Sequence, residues 1–187
     1  MSTELLIRQC APTLAGIKTG SVYSCPYERR ENLLEDLRKL NRSLSPRGLC
    51  IIPLRFHSDR ALLYMFRPTE LKKDLQCPRA QKILSEVGYG DIQPTQCLRC
   101  LIKRLREQGD FPHEIGLFLS YPPEDVQGFI ENRARNYKRV GVWKVYGDEE
   151  KAQRIFDKYK KCTQIYCRSY RAGMELDKLA VSKGTKQ

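Results

Sequence analysis

Three sets of residues in this 187-residue chain carry side chains that could do chemistry. The first joins Cys10, in the segment CAPTLAGIKTG, to His113 and Glu114, which open the run HEIGLFLSY. A thiol becomes a nucleophile when an imidazole or a helix amino terminus stabilises its thiolate, and CAPT places Cys10 just ahead of a helical turn. In this scheme His113 is the base, and Glu114 or an acid from elsewhere in the chain orients it. A Cys and a His roughly a hundred residues apart obey no family-independent spacing rule, so a small, half-buried apolar residue is the competing reading of Cys10.

The second set is Cys97 with Cys100. Residues three apart on a helix share a face, so the two thiolates could grip one metal ion or form a redox pair. Cys162 and Cys167 could join them, although that pair is spaced by five. Cysteine as core filler on an amphipathic helix is the alternative. The third set is cationic and aromatic: Lys18 and Thr19 of GIKTG with Trp143, Lys144 and Tyr146 of VGVWKVY. A lysine in an otherwise apolar strand must reach solvent, find a carboxylate or meet an anionic ligand. Lys144 shares a face with Val142 and Tyr146, opposite Trp143. If Lys18 lies close, the set could bind a carboxylate or phosphate; snorkelling of the lysine to the end of the sheet is the alternative.

The elements that must position these residues follow from periodicity and punctuation. In CAPTLAGIKTG, Pro12, Gly16 and Gly20 leave room for at most one helical turn. SVYSCP reads as a short strand. Residues 27–44 carry leucines at helical spacing and end at Pro46 and Gly48. GLCIIPLRF and ALLYMFRP, joined by HSDR, predict a hairpin, with Pro53 confined to an edge strand or a bulge and His57 solvated in the turn. PTELKKDLQ, RAQKILSEVG and TQCLRCLIKRLREQG predict three helices, the last closed by Gly109.

The final third reads as strand, helix, strand, helix: HEIGLFLSY, PPEDVQGFIENRAR, RVGVWKVYG and a long amphipathic helix from residue 148. Such an order predicts a parallel crossover. Both faces of HEIGLFLSY are apolar, as in a strand covered on two sides, and Pro122 or Pro123 starts the next helix. Glu124, Asp125 and the acids at 148–150 suit the positive ends of their helices but repel a phosphate there. With no GxGxxG or Walker-type run, a nucleotide cradle is excluded.

The expected fold is α+β (mixed α/β). It is a single domain over residues 1–173, with a mixed sheet of about five strands, an antiparallel hairpin and a C-terminal βαβα unit, flanked by helices. Residues 174–187 are expected to fray. No apolar run is long enough to cross a bilayer, and no export signal opens the chain, so a cytoplasmic protein with its eight cysteines as free thiols is expected. A net charge of +12 favours anionic partners. Because no nucleic-acid motif accompanies it, a small anionic ligand or a protein partner is preferred to nucleic acid.

Three segments together, CAPTLAGIKTG, FPHEIGLFLSYPPEDVQGFIENRA and VGVWKVYGDEEKA, resemble a bacterial family, the domain of unknown function 3793, over nearly the whole chain from Leu5 to Arg171. The resemblance supplies no catalytic residue, cofactor or substrate. It implies a cytoplasmic protein of clostridia and related anaerobes, where unpaired thiols survive, and a role in metal or redox metabolism. Related members often carry extra cysteines near the position of Val142; this chain has none there.

The leading expectation is a small-ligand-binding or accessory and regulatory factor. The alternatives are a thiol-dependent enzyme with Cys10 as nucleophile and His113 as base, and iron or zinc binding through cysteines. For the ligand-binding and enzyme readings the site is expected between the CAPTLAGIKTG loop and the mouth of the His113 strand; for the metal reading it lies at the helix thiols Cys97 and Cys100.

Overall fold

Leucines 33, 37, 40 and 44 recur at helical spacing and form the inner face of a helix spanning Arg30–Leu44. The computed structural model describes residues 1–90, 93–107 and 111–182. They fall into two compact units: Met1–Thr69 with the chain from Tyr159 onward, and Glu70–Lys158.

The first unit holds α1 (Thr3–Leu14), β1 (Gly20–Pro26), α2 (Arg30–Leu44), β2 (Cys50–His57) and β3 (Arg60–Phe66). The strands form an antiparallel sheet in the order β1-β3-β2. The β2–β3 pair is the expected hairpin. Pro53, which cannot donate to a ladder, lies on edge strand β2, where the register shifts between Pro53 and Arg55. Alternate residues Ala61, Leu63 and Met65 of β3 face a core that α1 and α2 fill with Leu6, Ile7, Cys10, Leu14, Leu33 and Leu37.

The opening segment corrects the expectation of a single turn. α1 continues through Pro12, which forfeits one helical hydrogen bond but is itself buried near the helix end. The Pro12 carbonyl accepts from Ile17 N at 3.0 Å and Lys18 N at 3.1 Å, tying off the chain.

The tail, expected to fray, carries regular structure in its described part, up to residue 182. It forms α9 (Leu176–Leu179), buries Leu179 and Ala180, and places the Val181 carbonyl 2.8 Å from the Arg67 guanidinium. The rest of the tail expected to fray, residues 183–187, lies outside the described residues. Arg67 is 2% exposed and also donates to the carbonyls of Thr13, Leu14 and Arg47, so a buried cation is held by backbone dipoles.

The second unit contains most of α3 (Pro68–Leu75), then α4 (Pro78–Glu86), α5 (Pro94–Glu107), α6 (Ile115–Phe118), α7 (Pro123–Glu131), β4 (Arg139–Val140) and β5 (Lys144–Val145). α3, α4, α5 and α7 each begin on a proline, whose missing N–H costs nothing in the first turn. Gly109, expected to close α5, lies outside the described residues. The final long helix, α8 (Glu149–Arg171), turns Ala152, Phe156, Tyr159 and Cys162 inward as its periodicity predicts.

The α+β class is as expected; the strand arrangement in the last third is not. HEIGLFLSY is no strand: after a turn at His113 and Glu114 it forms the single-turn helix α6. All four residues of α6 are buried, so no alternation distinguishes strand from helix, and a short uniformly apolar run fits either. RVGVWKVYG is likewise not one strand but a tight antiparallel ribbon, β4 turning at Gly141 into β5. Among the described residues the parallel crossover and the βαβα unit therefore give way to a three-stranded and a two-stranded sheet, both antiparallel. Among the same residues no helix is long and apolar enough to cross a membrane.

Candidate functional site

Asp125 organises the site. It lies in the first turn of α7, where a carboxylate suits the helix dipole, and it is 3% exposed. One oxygen accepts from Trp143 Nε1 at 2.6 Å; the other accepts from Tyr146 N at 2.8 Å and Gly147 N at 2.7 Å. The ribbon is thereby hung on α7 by three bonds to one anion. Trp143 then stacks on Tyr121 at 4.9 Å between ring centroids and meets Phe156 edge-on at 4.5 Å. Gly141 makes the close pass possible, because a Cβ there would collide with the Phe156 ring.

Between the ribbon, α7 and the turn leading into α6 lies a cavity of about 470 Å³. Phe111, Ile115, Tyr121, Val126, Phe129, Val140, Val142 and Trp143 give it an apolar and aromatic wall, and its polar side chains are His113, Asp125 and Lys144. The His113 ring packs edge-on against Phe129 at 4.9 Å. The Lys144 ammonium lies 5.8 Å from the same ring and 4.7 Å from the Tyr137 ring, and donates to the Ala134 carbonyl at 2.8 Å. Phe111, Tyr137, Val140 and Val142 are exposed, and Val140 keeps 57% of its surface in solvent.

Glu114 does not share this cavity. It is 2% exposed, pairs with Arg104 Nε at 2.6 Å and accepts from the Tyr89 hydroxyl at 3.1 Å, while Arg104 also donates to the Val87 carbonyl. These contacts fasten the start of α6 to α5 and the end of α4. Burial, then the Glu114 charge, push the Tyr89 hydroxyl well above its ordinary range.

The residues singled out from sequence divide between the two units. His113, Trp143 and Lys144 come together on the cavity. Tyr146 belongs to the same unit but does not line it; its ring covers Gly128, and its hydroxyl is buried without a hydrogen-bond partner among the described residues. Burial raises that hydroxyl, with Tyr137 and Asp125 adding to the effect.

Cys10, Lys18 and Thr19 lie in the first unit. Cys10 is fully buried within α1 rather than ahead of a helical turn, and burial pushes its thiol far above the ordinary range, with only a partial offset from the Lys18 charge. Lys18 is lowered to about 8 by burial, and its ammonium lies 5.7 Å from the Tyr159 ring. Thr19 is buried, and its carbonyl accepts from Arg67 N at 2.9 Å.

Cys97 is buried on α5 and Cys100 half-buried on the same helix; burial raises the Cys100 thiol. Among the described residues no group of three or more His, Cys, Asp or Glu is placed to hold a metal ion.

Sequence reasoning missed Phe111, Phe129, Val140 and Val142 as wall residues, and read Asp125 only as a helix-dipole acid. One signal was available: Val140 and Val142 flank a glycine beside a basic stretch, an apolar pair with no core assigned to it.

A family model described as Protein of unknown function (DUF3793) matches residues 6–180 of the chain. No curated protein and no solved structure matches it.

Proposed function

We propose that this chain, which belongs to the DUF3793 family, is a small-ligand-binding module whose second unit takes the apolar body of a ligand into the cavity between α7 and the β4–β5 ribbon. The observation that supports this reading is the cavity itself. Its volume of about 470 Å³ falls in the range of small-molecule sites, and it has an aromatic wall with a few convergent polar groups. Such a module acts as an accessory or regulatory factor rather than a catalyst. In this reading His113 and Lys144 contact ligand, Trp143 forms the wall, and Cys10 and Glu114 serve packing and ion pairing.

Trp143 is the single tryptophan of the chain, so its emission reports on the cavity directly. Nile red, a neutral apolar dye, is expected to bind one per chain with a rise in its own emission and a change in that of Trp143. A Val142→Phe variant, which crowds the mouth and leaves Trp143 the single tryptophan, is expected to bind it at least about tenfold more weakly. Absence of saturable binding, or equal binding by the filled variant, overturns the reading.

A further inference from the structure

Resting on that reading, we infer that the ligand is an amphipathic monoanion, an apolar body ending in one carboxylate, and that Lys144 meets its charge.

The polar side chains on the wall differ in what they have left to offer. Asp125 is committed to Trp143, Tyr146 and Gly147. Lys144 is not comparably committed. An ammonium has three donors, and this one makes a single hydrogen bond, to the Ala134 carbonyl, with two aromatic faces nearby and no ion pair among the described residues. A half-buried cation without an anion, on the wall of an apolar cavity, is the complement of an acid group on an apolar ligand. His113, on the same Phe129 ring, supplies a further nitrogen near that end of the cavity. The number of charges also follows. Lys144 is one cation and can pair with one carboxylate charge, whereas a dianionic phosphate would bring a second charge that no other lysine or arginine of the cavity wall meets.

The carbonyl that now holds Lys144 belongs to a strained segment. Arg133, Ala134 and Asn136 have φ of 49°, 62° and 56°, a left-handed backbone that side chains with a Cβ resist. A bound carboxylate would compete with this carbonyl for the ammonium.

The test compares acids with their neutral isosteres on the full chain by titration calorimetry: octanoate against octanamide, and 2-naphthoate against 2-naphthamide. At least one acid is expected to bind about tenfold or more tighter than its amide, the scale of one charge-assisted hydrogen bond. The pair with the larger effect identifies the body as aliphatic or aromatic. Lys144→Gln is expected to erase the preference and Lys144→Arg to keep it, with Trp143 emission as the check on folding. Should Lys144→Gln not fold, the acid–amide comparison on the native chain decides alone. Amides binding as tightly as acids, or a preference that survives in Lys144→Gln, overturns the inference while Nile red binding leaves the cavity reading intact. Failure of every probe, Nile red included, removes both.

Discussion

Trp143 Nε1 donates to Asp125 Oδ2 across 2.6 Å, and with that bond a side chain eighteen residues away sets where the ribbon sits. Asp125→Asn puts an amide N–H opposite one of the three donors that the carboxylate now accepts. The expected cost is about 2–4 kcal/mol, from charge-assisted bonds lost at a buried site. A urea melt followed by Trp143 emission reads the loss, together with a red shift as the indole meets water. Native midpoint and native emission in the Asp125→Asn variant would show that the clamp is dispensable.

Glu114 and Arg104 make an asymmetric pair of substitutions. Arg104→Met removes the cation paired with the buried Glu114 carboxylate, leaving the Tyr89 hydroxyl as its partner among the described residues, and is expected to cost about 3–5 kcal/mol. The double change Arg104→Met with Glu114→Leu removes both charges and is expected to recover most of that loss. A double variant no more stable than Arg104→Met alone would mean that Glu114 works through something other than this pair.

Cys10 and Lys18 tie stability to alkaline pH with opposite signs. Burial keeps the Cys10 thiol protonated in the folded chain well past its ordinary 9.0, so the unfolded chain releases that proton first, and stability falls as pH rises through this value. Lys18, lowered from 10.5 to about 8, is neutral when folded and charged when unfolded between those values, so its contribution rises with pH across that window. Cys10→Ala deletes the falling contribution and leaves in place the burial that is the main cause of the Lys18 shift. Urea midpoints from pH 7 to about pH 10.5 are expected to run parallel for the two proteins at first and to diverge above pH 9, the variant gaining on the native chain. Parallel profiles throughout would contradict the burial of this thiol.

Ala134, at φ 62°, has no side-chain hydrogen bond to compensate its left-handed backbone. Ala134→Gly is expected to stabilise the chain by about 1 kcal/mol and to raise the thermal midpoint by a few degrees. A lower midpoint would mean that the added freedom of the unfolded chain outweighs the strain relieved.

Long periodic segments were legible in the sequence. The leucines of α2, the inward face of α8 and the alternation of β3 each repeat often enough to declare their period, and Pro53 announced an edge. Residues 113–147 were not legible to the same degree. α6 is one turn long and buried on all sides, so strand and helix leave the same apolar signature. The ribbon is held in register less by its two-residue strands than by Asp125, whose reach across to Tyr146 and Gly147 has no local trace. His113, Trp143 and Lys144 were found because their residue types are conspicuous in apolar surroundings. The wall of Phe111, Phe129, Val140 and Val142 was missed because such residues look like ordinary core until their exposure is known.

The guanidinium of Arg67 also says something about the ribosome. The carbonyls of Thr13, Leu14 and Arg47 that accept from it are all synthesised before the arginine itself, whereas that of Val181 follows 114 codons later. A nascent chain that has already made its three strands therefore carries this cation without one of its acceptors for as long as the whole second unit takes to emerge.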